Sequence, residues 1–432
     1  MIRSTMRKKL YLSITIFIGI TILYLCGTYL FHQYKKQTQS PVSIIIASDI
    51  HYLSPEYRGE YFKEPAPIFD GKVIHYSPEF FEAFLEEVSQ KQPEVLILSG
   101  DITLNGSIKS HKEVIEKLNR IQDSGTQVLV IPGNHDIHMT AGDYTPEEPV
   151  VVENVTSEEF LNMYEGFGPA QALSRDSNTF SYVYEASPYL RILMLDTNLL
   201  SKGSVNSNTL EWIETQLKEA KFARADVIAV SHQNLHIHNE ILYFSYQLYN
   251  ADELLPLYEK YDVKLNLSGH IHVQSIVSDD TTPGITIPEI AVGSLAVGGT
   301  PYGEITYDGK TLMYNTQKTD VSAYATSKNW TDENLLNFNQ YSIWYFEEVG
   351  RLQNYDSFTE TDLSDEEKDL LANTFASINS RYFLGEKYDK AEFIEGIELW
   401  RKQESNFILR YIETMLKEAD VENQKIIIDL RK

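Results

Sequence analysis

Five short stretches hold the residues that could do chemistry. They are Asp49-x-His51, Gly100-Asp101, Gly133-Asn134-His135-Asp136, His232 within VSHQN, and Gly269-His270-x-His272. Together they offer carboxylates, an amide and several imidazoles, and no thiolate. Mixed imidazole and carboxylate donors suit Mn, Fe or Zn ions rather than Ca²⁺ or a soft-metal site. Seven or eight donors are too many for one tetrahedral ion, but they suit two adjacent ions sharing a carboxylate. Such a pair clamps the attacking and leaving oxygens of an in-line displacement at phosphorus. A water held between two cations also loses its proton readily. The cations outweigh two aspartates and a hydroxide, so the centre attracts a phosphodiester anion. The acidic exterior is screened beyond ~8 Å in physiological salt.

Each stretch directly follows an apolar run: SIIIAS, VLILS, VLVI, VIAV and LNLS. Runs of this kind predict buried strands. In an α/β sheet, polar residues just past the carboxyl ends of strands meet in one crevice. The strands predicted up to the last of these motifs are 42–48, 95–99, 127–131, 179–186, 190–196, 227–230 and 263–267. Helices are predicted over 77–91, from Ser110-x-x-Glu113 to about Gly125, from Thr156-x-x-Glu159, and over 209–221 and 251–261. Residues 52–76, with Pro55, Pro65, Pro67 and Gly71, read as a long loop. Short strands fill 273–316, with a hairpin turn at Asp308-Gly309. Beyond 316 the strands stop. Residues from about 320 to about 425 read as helical, with a cap at Ser364-x-x-Glu367.

The N-terminus reads as a membrane signal. Residues 10–31 carry no charge, and Arg3, Arg7, Lys8 and Lys9 precede them. At 1.5 Å per residue such a helix spans a bilayer core. The basic residues place the N-terminus inside and the body outside the cytoplasm. A cleaved signal peptide has a shorter apolar region and an A-x-A-like site, which is absent here. A lipoprotein reading of Cys26 wants small residues where Tyr24 and Leu25 stand. The expected order is a transmembrane signal anchor over 1–34, an α/β catalytic domain over 35–317 and an all-α domain over 318–432. The expected location is the cell membrane, single-pass, with the catalytic domain extracytoplasmic.

Composition narrows the classes further. Hydrophobic residues at 42% and charged residues at 23% exclude disorder as the main state. The net charge of −25 argues against general nucleic-acid binding. A single cysteine excludes an intramolecular disulfide framework.

The motif set resembles the calcineurin-like metallophosphoesterase superfamily. SDIHYLSP, GDITLNG and the helical tail resemble its membrane-anchored Gram-positive class III cyclic nucleotide phosphodiesterases. The resemblance implies a two-sheet sandwich flanked by helices and two metal ions. Asp49, His51 and His272 would hold the first metal. Asn134, His232 and His270 would hold the second, with Asp101 bridging. His135 would face the substrate and protonate the leaving oxygen after hydroxide attack, and Asp136 would orient His135 or cap the adjoining helix. The implied substrate is a small phosphodiester, with a 3′,5′ or 2′,3′ cyclic nucleotide the first expectation. A cell-envelope glycerophosphodiester or lipid-linked phosphate is the alternative, and a non-catalytic binding protein the alternative of another class.

Other residues have local readings. His238 and Asn105 are candidates to touch substrate, although Asn105 could equally fix its own loop. His138 is a weaker candidate. His236 reads as a loop residue, and His75 and His111 as surface residues. Trp344, Tyr345, Phe346 and Trp400 read as core of the tail.

Overall fold

Near-continuous apolar runs bury both faces of a strand, and that is how the central strands sit. Every residue of Val95–Leu98, Asp226–Val230 and Leu265–Ser268 is buried, as is all of Val42–Ala47 except Ser43. The computed structural model describes residues 2–431 apart from 60, 61, 63, 64, 66–69, 200–202, 359, 360 and 404–406. For 2–10, 12, 13, 16, 356 and 357 it describes the backbone alone.

Two sheets form the body. The first has six strands in the order Lys425–Asp429, Thr311–Lys318, Pro301–Tyr307, Val42–Ala47, Val95–Leu98, Gln127–Val130. The last three of these run parallel. The second has seven, in the order Ser275–Val277, Glu289–Ala291, Leu265–Ser268, Asp226–Val230, Leu190–Met194, Tyr182–Ser187, Ser174–Arg175. Asp226–Val230 lies at its centre, parallel to Leu190–Met194 and Leu265–Ser268. One core cluster joins Ile44, Ile97 and Ile305 of the first sheet to Tyr182, Ile192, Ile228 and Leu267 of the second. The sheets therefore form the expected sandwich. Helix Ser77–Lys91 adds Phe80, Phe81 and Phe84 to that core. Helices Ser207–Ala223 and Ala251–Tyr261 pack Ile213, Leu217, Leu254 and Tyr258 with Leu193, Val227 and Ala229 of the second sheet.

Several expectations need correction. The helix placed at Ser110 starts at Ile108, capped by Ser107, whose side chain accepts from the Ser110 N–H. Glu113 does not close a capping box. Its carboxylate accepts from Tyr52 Oη at 2.9 Å and Ser54 Oγ at 2.8 Å instead. The predicted caps at Thr156 and Ser364 are present. His75 and His111 are buried rather than on the surface. His111 Nδ1 pairs with Tyr164 Oη at 2.8 Å, and burial pushes its pKa down to about 4. Trp400, Tyr345 and Phe346 are core, but Trp344 is 49% exposed.

The tail is not all-α. Lys425–Asp429 returns to the first sheet and pairs antiparallel with Thr311–Lys318. The helices before it enclose a cluster built from Leu371, Phe375, Tyr382, Trp400, Ile412 and Met415. Ile271 and Val273, beside the last motif, belong to this same cluster.

The expected transmembrane segment 10–31 is helical, within Ile2–Gln37. Among the described residues, however, no helix is long and apolar enough to cross a membrane. The side chains of 10, 12, 13 and 16, within this segment, lie outside the described residues. The spanning anchor is therefore not supported. The base of this helix meets the body through a 2.6 Å ion pair between Lys36 and the buried Asp226.

Candidate metal centre

The five motifs leave the carboxyl ends of five strands, three from the first sheet and two from the second. The sandwich brings them together. Two groups of donors form, each with its ligand atoms within 4.8 Å of one another. Asp49, His51, Asp101 and His272 make one, and Asp101, His232 and His270 the other. Asp101 belongs to both. The Asn134 Oδ1 atom lies 3.2 Å from His232 Nε2, beside the second group. His51 Nε2 and His272 Nε2 are 3.2 Å apart, and His272 Nε2 lies 3.3 Å from Asp49 Oδ1.

The backbone is bent to present these side chains. Asp49, His51, Asp101, His270 and His272 all have positive φ, between 47° and 68°. A non-glycine residue in this region costs of order 1–3 kcal/mol and persists only where its surroundings hold it. The surroundings here are explicit. Asp49 N–H donates to Gly100 O, His51 N–H to Asp101 O, and His270 N–H to Asp49 Oδ2 at 2.9 Å. The His135 N–H donates to Asp101 Oδ1 at 2.7 Å.

Close approach also demands two glycines. A Cβ on Gly133 would lie 2.2 Å from Asp101 Oδ1, and one on Gly269 would lie 1.8 Å from Ser48 Oγ and 2.6 Å from Asp49 Oδ2. Gly269→Ala should therefore cost about 1–3 kcal/mol through overpacking and displace Asp49. A lowered melting temperature together with reduced metal content would register this. An unchanged melt with full metal content would refute it.

The electrostatics reflect buried carboxylates that need positive charge. Burial raises Asp101, but the facing imidazoles of His232, His135 and His51 outweigh it and hold the carboxyl well below its usual range. Burial lowers His232, yet Asp101 and Asp49 draw it up to about 9. Burial, and then the charge of His232, hold His270 at about 4. Asp49 Oδ1 and Asp101 Oδ2 are buried without a hydrogen-bond partner among the described residues. Unpaired buried carboxylate oxygens are costly, and these two lie within the donor groups. The donor set thus fits a pair of cations.

His135 touches neither group as a ligand. Its Nδ1 pairs with Asn105 Oδ1 at 2.6 Å, Nε2 makes no hydrogen bond among the described residues, and its ring lies 4.8 Å from that of His51. Asn105 orients His135. Asp136 makes no hydrogen bond to the His135 ring. Its carboxylate accepts from the N–H groups of Ile102, Thr103 and Gly133 and from Thr103 Oγ1, stapling two motif loops together.

His238 is not brought to the centre. It is buried, with Nδ1 on Ser275 Oγ at 2.9 Å and Nε2 3.2 Å from Glu289. His236 pairs with Ile287 O and His138 with Asn198 O. Sequence reading missed Glu289. Its carboxylate accepts from Leu235 N, His236 N, Asn266 Nδ2 and Ser268 Oγ, tying the loop after His232 to the strand before His270. The available signal was one acid within the apolar strand Glu289–Ala291. Also missed was Tyr246, whose ring lies 5.1 Å from that of His270, next to Ser245 O, which pairs with His270 Nε2 at 2.9 Å.

Two family models match this chain. Residues 42–274, more than half of the chain, match the model for the calcineurin-like phosphoesterase. Residues 320–422 match the model for the C-terminal domain of cyclic nucleotide phosphodiesterase. No curated protein matches. Among solved structures, a dimetal phosphatase from Danio rerio aligns at 12% identity and TM-score 0.47, covering 64% of this chain and 96% of that one. A purple acid phosphatase from yellow lupin aligns at 12% identity and TM-score 0.42, covering 66% of this chain and 52% of that one. These alignments are too loose to carry an argument about substrate.

Proposed function

The chain belongs to the calcineurin-like phosphoesterase family and is a phosphoester hydrolase, and from that premise we propose that it is a dimetal phosphodiesterase acting on cyclic nucleotides. The observation that carries the dimetal reading is the pair of donor groups sharing Asp101, with Asp49 Oδ1 and Asp101 Oδ2 buried and, among the described residues, without a hydrogen-bond partner. Asp49, His51 and His272 would hold one cation and Asn134, His232 and His270 the other, with Asp101, common to both donor groups, shared between them. The chemistry such a pair would supply when bound is charge neutralisation at the phosphoryl oxygens and a more acidic attacking water. As an imidazolium, with Nδ1–H held by Asn105 Oδ1, His135 would pass its Nε2 proton to the departing ribose oxygen and be left neutral. The buried carboxylates and the strained backbone keep the donors in place before substrate arrives.

The tail match supports the nucleotide assignment. A panel of 3′,5′ and 2′,3′ cyclic nucleotides, bis(p-nitrophenyl) phosphate and glycerophosphodiesters, assayed with added Mn²⁺, tests it. Cyclic nucleotides should be turned over, with activity lost to a chelator and restored by Mn²⁺. Good glycerophosphodiester turnover without cyclic nucleotide turnover would reassign the enzyme to envelope substrates.

A further inference from the structure

His270 takes its setting from residues outside the five motifs. Its Nε2 lies 2.9 Å from Ser245 O. A carbonyl only accepts, so Nε2 carries the proton and Nδ1 keeps the lone pair that a cation needs. A ligating imidazole is oriented by the partner of its other nitrogen. The same ring packs against Tyr246, with centroids 5.1 Å apart and planes at 54°.

The segment that carries Ser245 and Tyr246 is held from two sides. From the body, the Asn234 N–H donates to Tyr246 O at 3.0 Å. From the tail, the apolar cluster of the helices packs against Leu242 and Tyr246. Asn239, 2% exposed, ties the start of the segment to the tail. Its Nδ2 donates to Tyr382 Oη at 2.9 Å, and its Oδ1 takes the N–H groups of Ile241 and Leu242 at 2.9 and 3.1 Å. An ion pair of 2.7 Å between Lys417 and Glu240 lies beside this tie. Past His272 the tail grips again, where the Gln274 N–H donates to Phe383 O at 2.8 Å.

We propose that Tyr246 is a positioning residue for one cation only: backed by the tail through Asn239 and Tyr382, it keeps His270 in the donor group with Asp101 and His232. The proposal rests on the dimetal reading and gives the tail a part in it. It carries an asymmetry. The other donor group, Asp49, His51, Asp101 and His272, does not include His270. Loosening Tyr246 therefore weakens one site and spares the other, which a general loss of stability does not do.

The test uses the full chain, stripped of metal and titrated with Mn²⁺ by calorimetry. Tyr246→Ala should weaken one of two sites about ten- to hundred-fold, the cost of removing an outer partner of a ligand, and leave the other unchanged. Tyr246→Phe keeps the ring and should match the wild type at both. Asn239→Ala cuts the tie to Tyr382, leaves Tyr246 and every donor in place, and should weaken the same site. Unchanged affinity at both sites would overturn the proposal, as would equal losses at both in step with the melting temperature. A second readout needs no metal. In the stripped protein, carbethoxylation of His270 by diethyl pyrocarbonate, located by peptide mass, should be faster in Tyr246→Ala than in the wild type, and an equal rate would overturn the proposal. If the wild type bound no pair of ions, the dimetal reading would fail, and the carbethoxylation rates would still judge Tyr246. If Tyr246→Ala did not fold, Tyr382→Phe, which removes only the hydroxyl bonded to Asn239, decides by the same two readouts.

Discussion

Asp101→Asn should strip the protein of its cations and of its turnover together. The carboxylate is 1% exposed, and its two oxygens do different things. Oδ1 takes the His135 N–H at 2.7 Å, whereas Oδ2 has no hydrogen-bond partner among the described residues and lies 3.4 Å from His232 Nε2 and 3.9 Å from His51 Nε2. An asparagine that keeps the first bond must place its NH₂ where Oδ2 stood. That group donates, carries no charge and cannot ligate. The bridge between the two donor groups is then gone. Loss of metal affinity should exceed the roughly 10–100-fold that removal of an outer-shell partner costs. Elemental analysis after Mn²⁺ reloading and gel filtration, read beside the rate, checks this. Two ions per chain in the variant would remove Asp101 from the centre.

His135→Ala should do the reverse, keeping metal and losing rate. The bond from residue 135 to Asp101 is made by the backbone N–H, which alanine retains. The ring faces Asn105 through Nδ1, and among the described residues Nε2 has no hydrogen-bond partner. If Nε2 delivers the proton, kcat on a substrate with a ribose leaving group should fall about a hundred- to ten-thousand-fold. The loss should be much smaller on bis(p-nitrophenyl) phosphate, whose leaving group departs without a proton. Near-normal rates on the ribose ester would end the assignment.

The centre was legible because each of its parts is written locally. An apolar run ends, and the chemistry begins in the next few residues, so strand identity and site position are read from one pattern. The sandwich that brings Asp101 to His232 was not written in any one segment and came from the resemblance. What failed to be legible depends on distant partners. Ser110 and Glu113 match a capping box, yet Tyr52 and Ser54 capture the glutamate and Ser107 becomes the cap. His238 stands close to His232 in sequence, but Glu289 draws it inward. Lys425–Asp429 is three isoleucines between a lysine and an aspartate, and its strand character exists only because the edge Thr311–Lys318 is there to receive it.

That last pairing bears on how the protein must be made. The ribosome delivers Thr311–Lys318 well before the strand that covers it, with all the tail helices in between. Until then the first sheet has a bare flank, the kind of surface on which nascent chains join one another. A version cut after residue 318 would keep all five motifs and still carry that flank permanently, so poor yield of the isolated body would reflect clumping during synthesis and not a defect in its chemistry.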